Sequence, residues 1–168
     1  MENIEARAPQ AKADPTLPAS VQPLLKTKWS QFAPYNDYCP TLDGVRCPTG
    51  CVATAMAQVM YYHRWPMQGR GTYSYFWTKG NTTLSADFSQ SEYRWDLMLP
   101  KYDATADAEA KHQVARLMSD VGIAFAMNYE PAGSGTSVSR EAMIEFFDYD
   151  ASINNLERQY CSNSQWEN

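Results

Sequence analysis

Small and apolar residues occupy most positions from 50 to 64, and they surround almost the whole circumference of a helix drawn over this segment. The pattern predicts a helix that is largely buried. Pro66 is expected to stop it, because proline cannot continue a helix. Thr49 is the predicted N-cap, since its hydroxyl can accept a hydrogen bond from an unpaired backbone N–H. Cys51 would then lie in the first turn.

Further helices are predicted in the second half of the chain. Apolar residues recur at helical spacing over 106–121, at Ala110, Val114, Leu117, Met118 and Val121. Ser137 or Ser139 is expected to cap another helix that continues to Phe147. A short helix is also predicted over 93–99.

The remaining segments lack a helical period. Residues 1–20 are rich in alanine, proline and charge, and they are typical of a tail or linker. Two prolines and a glycine within 36–49, and the composition of 128–137, predict loops. The Tyr-, Trp-, Thr- and Gly-rich stretch 68–95 indicates loops and short strands, and a further strand is predicted to begin within 151–168. Residues 21–168 are therefore treated as one domain.

Composition places the chain in the globular class. Its 168 residues are 44% hydrophobic and 13% aromatic, which suffices for one domain with a core. The net charge is −5 and no long basic run occurs, so a nucleic-acid partner is not expected. No apolar stretch approaches the roughly 18 residues that span a bilayer, so a membrane partner is not expected either.

Four cysteines leave several interpretations open. They are too few for a disulfide-built scaffold. A metal site would require Cys39, Cys47 and Cys51 to converge, but their spacing contains no C-x-x-C and neither histidine is close in sequence. A disulfide between Cys39 and Cys47 stays open for an oxidising compartment, because sequence alone does not give their separation.

Cys51 has the local setting of a nucleophile, and also that of a packed core thiol. A helix N-terminus favours the thiolate, and Gly50 leaves room for a substrate backbone. A cysteine nucleophile needs a base, usually histidine. His63 lies twelve residues along the same predicted helix, about 18 Å away. His112 lies off the apolar stripe of the helix predicted over 106–121, and it is expected to be a solvated surface residue. The residues alone therefore supply Cys51 with no base.

Several segments together resemble a known family. "TGCVATAMAQVMYYHRWP" (49–66) is similar to the active-site segment of the streptopain family of papain-like cysteine peptidases. "KWSQFAPYN" (28–36), "YRWDLMLPKY" (93–102), "LMSDVGIAFAMNYEP" (117–131) and "GSGTSVSR" (133–140) follow the family's order. The resemblance covers nearly all of the predicted domain.

The resemblance implies a fold and a set of site residues. The fold is α+β and papain-like, mainly the helical lobe, with the nucleophile on its central helix. Cys51 is the nucleophile, and the side-chain amide of Gln31 helps to form the oxyanion hole. No metal and no organic cofactor is implied. The substrate cleft is lined by a loop from which four residues are expected to bind substrate: Gly133, Ser134, Gly135 and Ser137.

The resemblance also implies what accompanies this chain. The family's catalytic histidine lies in a segment beyond residue 168, so the chain corresponds to the N-terminal portion of a peptidase domain, and the C-terminal half is its partner. Residues 1–20 are expected to be the end of a propeptide or a junction. The expected product is a secreted bacterial endopeptidase that is made as a zymogen. Its substrates are proteins or peptides with a bulky apolar residue two positions before the scissile bond. The alternative is a truncated, inactive relative that serves as a binding module. Without the C-terminal half, the cleft-facing side of the helix at 50–64 should expose an apolar patch.

Overall fold

The computed structural model describes residues 22–154 and 156–163. The tail predicted over residues 1–20 lies outside the described residues. Within the described ranges the chain forms, in order, β1 (Thr41–Leu42), β2 (Val45–Arg46), α1 (Cys51–His63), β3 (Thr72–Trp77), β4 (Thr82–Asp87), α2 (Ala108–Ala124) and α3 (Arg140–Phe147). Short 3₁₀ turns occupy Phe88–Gln90 and Arg158–Tyr160. No helix in these ranges is both long and apolar enough to cross a membrane.

The helix α1 forms where the apolar run predicts it, but its two ends are made differently. Gly50 occupies the N-cap position without any side-chain cap. The prediction that Thr49 caps the helix is therefore wrong, and its side chain is fully buried instead. At the other end Arg64 adopts a left-handed conformation with φ 51°, which ends the helix before Pro66 is reached.

Only one face of α1 is buried. That face carries Ala53, Thr54, Ala57 and Met60, and it packs against α2. Cys51, Ala55 and Tyr62 are exposed on the other side, so the prediction of a largely buried helix is wrong for that side. These side chains are apolar enough to be buried, which is why the sequence predicts burial, but no described residue covers them. Tyr62 is 49% exposed and Phe32, beside the start of the helix, is 63% exposed. The predicted apolar patch is thus present.

The helix α2 lies at the centre of the described fold, in contact with α1 and with both long strands. Asp107 caps it by accepting a hydrogen bond from the Glu109 N–H at 2.8 Å. Its buried positions include the predicted apolar stripe: Ala110, Val114, Leu117, Met118 and Val121. His112, predicted to be solvated, is half-buried and hydrogen-bonded through Nδ1 to the Tyr38 hydroxyl.

The predicted short strands form an antiparallel hairpin. β3 pairs with β4 in a register that runs from Thr72 opposite Asp87 to Trp77 opposite Thr82. Two side chains of β3 reach the loop that follows α2. The Tyr75 hydroxyl donates to the Met127 carbonyl at 2.6 Å, and the Trp77 indole N–H donates to the Tyr129 carbonyl at 3.0 Å. The hairpin therefore holds the beginning of the predicted 128–137 loop.

The segment 93–99 is not a helix, contrary to the prediction. It forms a turn in which the Leu97 N–H donates to the Arg94 carbonyl at 3.0 Å. Trp95 is buried, and its indole N–H donates to the Pro66 carbonyl at 2.8 Å. The apolar side chains are thus buried by contact with distant segments rather than along a helix face.

The N-cap of the last helix, α3, is one of the two serines predicted for that position. Ser139 is its N-cap, with Oγ accepting a hydrogen bond from the Ala142 N–H at 3.1 Å. The helix ends at Phe147, as predicted. The strand predicted to begin within 151–168 is not formed in the described part of that segment, 151–154 and 156–163.

Candidate active site

The four cysteines differ sharply in their access to solvent. Cys39 and Cys47 are buried free thiols, whereas Cys51 is an exposed free thiol and Cys161 is partly exposed. Burial raises the pKa of Cys39 to about 12 and also raises the pKa of Cys47. Both buried thiols therefore stay protonated and are poor nucleophiles. Cys51 is the thiol that a substrate can reach most openly.

Cys51 is the first residue of α1, and the turn before it is close-packed. Gly50 has φ 86° and ψ 146°, a conformation that L-residues rarely adopt. A Cβ built on Gly50 would lie 2.7 Å from Met127 Cε and 3.1 Å from the Ser134 carbonyl oxygen. The loop after α2 therefore packs directly against the residue that precedes the thiol.

Gln31 is brought to Cys51 by the backbone. The Thr49 N–H donates to the Gln31 carbonyl at 3.0 Å, which ties the segment before α1 to the segment around Trp29. Both residues line an open depression of about 360 Å³, here called the Cys51 depression. It is lined by Trp29, Ser30, Gln31, Phe32, Cys51, Thr54, Ala55 and Gln58. Gln31 and Cys51, predicted to act together, thus share one surface.

The start of α1 offers hydrogen-bond donors to this depression. The first backbone N–H groups of a helix have no intrahelical partner, and here no side chain caps them. The first turn carries no acidic residue that would oppose a thiolate. The half-buried side chain of Gln31 makes no hydrogen bond to another described residue. The arrangement can stabilise negative charge on a bound oxygen atom.

The four predicted substrate-binding residues are not equally open. Gly135 exchanges two backbone hydrogen bonds with Asn128, at 3.0 and 3.1 Å. Ser134 is buried, and its Oγ accepts a hydrogen bond from the Glu130 N–H at 3.3 Å. Gly133 and Ser137 are exposed. A Cβ on Gly50 would lie 3.1 Å from the Ser134 carbonyl oxygen, so this loop passes close to the residue before Cys51.

Neither histidine reaches the Cys51 depression. His63 is the last residue of α1, at the opposite end of the helix from Cys51, and its ring packs edge-on against Tyr62. His112 is held on α2 by Tyr38. Among residues 22–154 and 156–163, no group of three or more His, Cys, Asp or Glu side chains is placed to hold a metal ion.

Sequence reasoning missed a buried polar cluster behind the thiol. Thr49 Oγ1 and Thr54 Oγ1 lie 2.7 Å apart, and the Thr54 hydroxyl donates to the Gly50 carbonyl at 2.9 Å. The Asn36 side-chain amide donates to the Cys47 carbonyl at 3.0 Å. The local sequence signal for this cluster is a threonine directly before Gly50 and another four residues after it. The same pattern fits a capping role for Thr49 equally well.

Comparison with known proteins shows which family the chain is similar to. The model of the Peptidase C10 family matches residues 29–168. Streptopain of Streptococcus pyogenes is 33% identical, in an alignment that covers 88% of this chain and 42% of streptopain. The thiol protease/hemagglutinin PrtT of Porphyromonas gingivalis is 33% identical, in an alignment that covers 94% of this chain and 20% of that protein. The chain thus spans less than half the length of these relatives.

Solved structures agree at the level of the fold. The active wild-type interpain A cysteine protease of Prevotella intermedia superposes with a TM-score of 0.79 and 32% identity, over 86% of this chain and 61% of that one. A prointerpain A fragment of the same organism gives a TM-score of 0.69 and 33% identity, over 74% of this chain and 42% of that one. The predicted papain-like α+β fold and the family resemblance are confirmed. The chain belongs to the Peptidase C10 family.

Proposed function

We propose that this chain is the nucleophile-bearing part of a cysteine endopeptidase. The observation that carries the proposal is the placement of Cys51: its exposed thiol starts α1 and shares a depression with Gln31. Membership of the Peptidase C10 family supports the same chemistry. The reaction is hydrolysis of a peptide bond in a protein or peptide substrate.

In the proposed reaction the Cys51 thiolate attacks the scissile carbonyl carbon, and the carbonyl electron pair moves onto its oxygen. The Cys51 N–H and the Gln31 side-chain amide donate hydrogen bonds to that oxyanion. When the intermediate collapses, the C–N bond breaks and a protonated histidine gives its proton to the leaving amine. Water then attacks the thioester carbonyl carbon and gives a proton to the now neutral histidine. The C–S bond breaks, which releases the carboxylic acid and restores the Cys51 thiolate and the protonated histidine. The proposed steps use no metal and no organic cofactor.

We place the histidine outside the described residues. His63 lies at the far end of α1, about 18 Å from Cys51 by the rise of ~1.5 Å per residue. His112 is held by Tyr38. The proposed source is the C-terminal half of a peptidase domain, which would also cover the exposed side of α1 at Ala55 and Tyr62.

The proposed substrate is an extended peptide bound along the loop at Gly133, Ser134, Gly135 and Ser137. The closeness of the Ser134 carbonyl to Gly50 supports this placement: a Cβ on Gly50 would lie only 3.1 Å from that oxygen, next to the nucleophile. A bulky apolar side chain two positions before the scissile bond is part of the proposal. So are secretion and synthesis as a zymogen; the similarity to a prointerpain A fragment supports a propeptide.

A peptidyl epoxide tests the proposed nucleophile. In the presence of the histidine-bearing half it should label Cys51 rapidly, with the site identified by peptide mass spectrometry. Cys51→Ala should abolish rapid labelling. Cys161→Ala is the matched control, because the Cys161 thiol is also partly accessible, and it should leave rapid labelling unchanged. Gln31→Ala should lower kcat by about 10²- to 10³-fold. Equal, slow labelling of all four cysteines would contradict the proposal.

A non-catalytic binding module is the second candidate. It is favoured by one observation: no described histidine lies in the Cys51 depression. It predicts a folded protein with no peptidase activity under any reducing condition. Casein cleavage that disappears in Cys51→Ala would reject this candidate.

A further inference from the structure

A chain of hydrogen bonds connects the two residues that are predicted to donate to the oxyanion. It runs from the backbone of Gln31 to the peptide group that contains the Cys51 N–H. The Thr49 N–H donates to the Gln31 carbonyl at 3.0 Å. The Thr49 and Thr54 hydroxyl oxygens are 2.7 Å apart, and the Thr54 hydroxyl donates to the Gly50 carbonyl at 2.9 Å. Since the Thr54 proton is used on Gly50, Thr49 is the donor between the two hydroxyls.

The last bond in this chain acts on the peptide group that contains the Cys51 N–H. The Gly50 carbonyl and the Cys51 N–H belong to one planar trans peptide and point in opposite directions. The Gly50 carbonyl also accepts the Thr54 N–H at 3.1 Å. Two donors from one residue thus fix the peptide plane, and the Cys51 N–H must point away from Thr54.

Burial makes this arrangement stiff. Thr49 is fully buried and Thr54 is 7% exposed, so water does not readily replace either hydroxyl. A β-branched side chain also has few rotamers in a helix. Gly50 has φ 86°, so its own backbone does not settle into an ordinary helical conformation. The two threonines therefore fix the orientation of the Gly50–Cys51 peptide, which the flexible backbone of Gly50 would not fix by itself.

We propose that Thr49 and Thr54 are positioning residues that aim the Cys51 N–H and hold it at a fixed place relative to Gln31. The inference rests on the proposed peptidase function. Thr49 is fully buried, and the hydroxyl of Thr54, a residue that lines the Cys51 depression, is bonded to Thr49 and to the Gly50 carbonyl. Each threonine therefore acts through the Gly50–Cys51 peptide or through the backbone of Gln31. A displacement of about 1 Å in catalytic geometry costs up to about 10²-fold in rate, so small shifts of this peptide matter.

Thr54→Val tests the proposal, because valine keeps the shape of threonine and removes the hydroxyl. The variant and the wild type are both assayed together with the histidine-bearing half. One assay measures kcat and KM on a chromogenic peptide, where an oxyanion forms. The other measures alkylation of Cys51 by iodoacetamide, a displacement at a saturated carbon that forms no oxyanion. We expect kcat to fall by about 10- to 100-fold while the alkylation rate stays within about twofold.

Two further variants separate positioning from stability. Thr54→Ser restores the hydroxyl and should recover most of the lost kcat. Ser91→Ala removes another buried hydroxyl, from a residue that does not line the Cys51 depression, and should leave kcat unchanged. If Thr54→Val does not fold, Thr49→Val is measured in the same two assays, and kcat should again fall while the alkylation rate is kept. Thr49→Ser should then recover the lost kcat.

Each outcome decides the inference. A Thr54→Val variant with the kcat of the wild type overturns it, as does an equal loss in both assays or a failure of Thr54→Ser to rescue. Thr49→Val with unchanged kcat removes Thr49 from the pair. A wild type with no Cys51-dependent cleavage rejects the proposed function, and the inference with it. Wild-type cleavage together with an unaffected Thr54→Val rejects the inference alone.

Discussion

Replacing Gly50 by alanine should destabilise the turn that presents Cys51. Two costs arise from the structure. With φ 86° and ψ 146°, Gly50 lies near a backbone region almost confined to glycine, where another residue costs about 1–3 kcal/mol. The new methyl group would also lie 2.7 Å from Met127 Cε and 3.1 Å from the Ser134 carbonyl.

The crowding adds to the backbone strain. Met127 is fully buried, so its side chain cannot swing into solvent to make room. Overpacking of this kind costs about 1–3 kcal/mol. Together the two effects predict that Gly50→Ala lowers the free energy of unfolding by about 2–6 kcal/mol.

Two other glycines separate the causes. Gly71 also has positive φ, 64°, but a Cβ there would meet nothing within 4 Å, so Gly71→Ala should cost about 1–2 kcal/mol. Gly133 lacks both features, and Gly133→Ala should stay within about 0.5 kcal/mol.

Urea unfolding followed by tryptophan fluorescence measures all three variants. The expected order of destabilisation is Gly50→Ala, then Gly71→Ala, then Gly133→Ala. If Gly50→Ala costs no more than Gly71→Ala, the contact with Met127 and Ser134 contributes nothing and the reasoning is refuted. If all three equal the wild type, the backbone argument fails as well.

Two further substitutions test the electrostatics and the capping of the fold. Burial raises the pKa of Asp120, whose carboxylate accepts the Tyr93 hydroxyl at 2.9 Å, so the contribution of Asp120 to stability should fall as pH rises above about 3.8. Asp120→Asn should flatten that fall and raise the urea midpoint at pH 7; a steeper fall contradicts this. Ser139→Ala should cost about 1 kcal/mol by removing the cap on Ala142, and Ser137→Ala almost nothing. Equal losses in the two urea titrations would contradict the assignment of the cap.

The sequence predicts the helices well because their signals are local. The apolar run at 50–64 becomes α1, from Cys51 to His63, and the stripe at 106–121 becomes α2, from Ala108 to Ala124. In both cases side-chain spacing within a few turns carries the information. Ser139 was one of two candidates because several serines precede α3, and only the geometry identifies the cap.

Local patterns fail where distant segments decide the conformation. The stretch 93–99 carries apolar residues that suit a short helix, but Trp95 bonds to the Pro66 carbonyl and Tyr61 donates to the Met98 carbonyl at 3.1 Å. The partners of these two bonds lie 29 and 37 residues away along the chain, and they hold the stretch as a turn. Intrinsic helix preference is worth too little per residue to oppose such packing.

The sequence by itself determined that a helix starts near residue 50 with Cys51 in its first turn, and which apolar residues can be buried. It did not determine that Thr49 turns inward, that Gln31 lies beside Cys51, or which side of α1 remains open. Those features depend on contacts between residues far apart in sequence, such as the bond from the Thr49 N–H to the Gln31 carbonyl. Helix periodicity and capping act over a few residues, whereas a catalytic surface is assembled only when separate segments pack together.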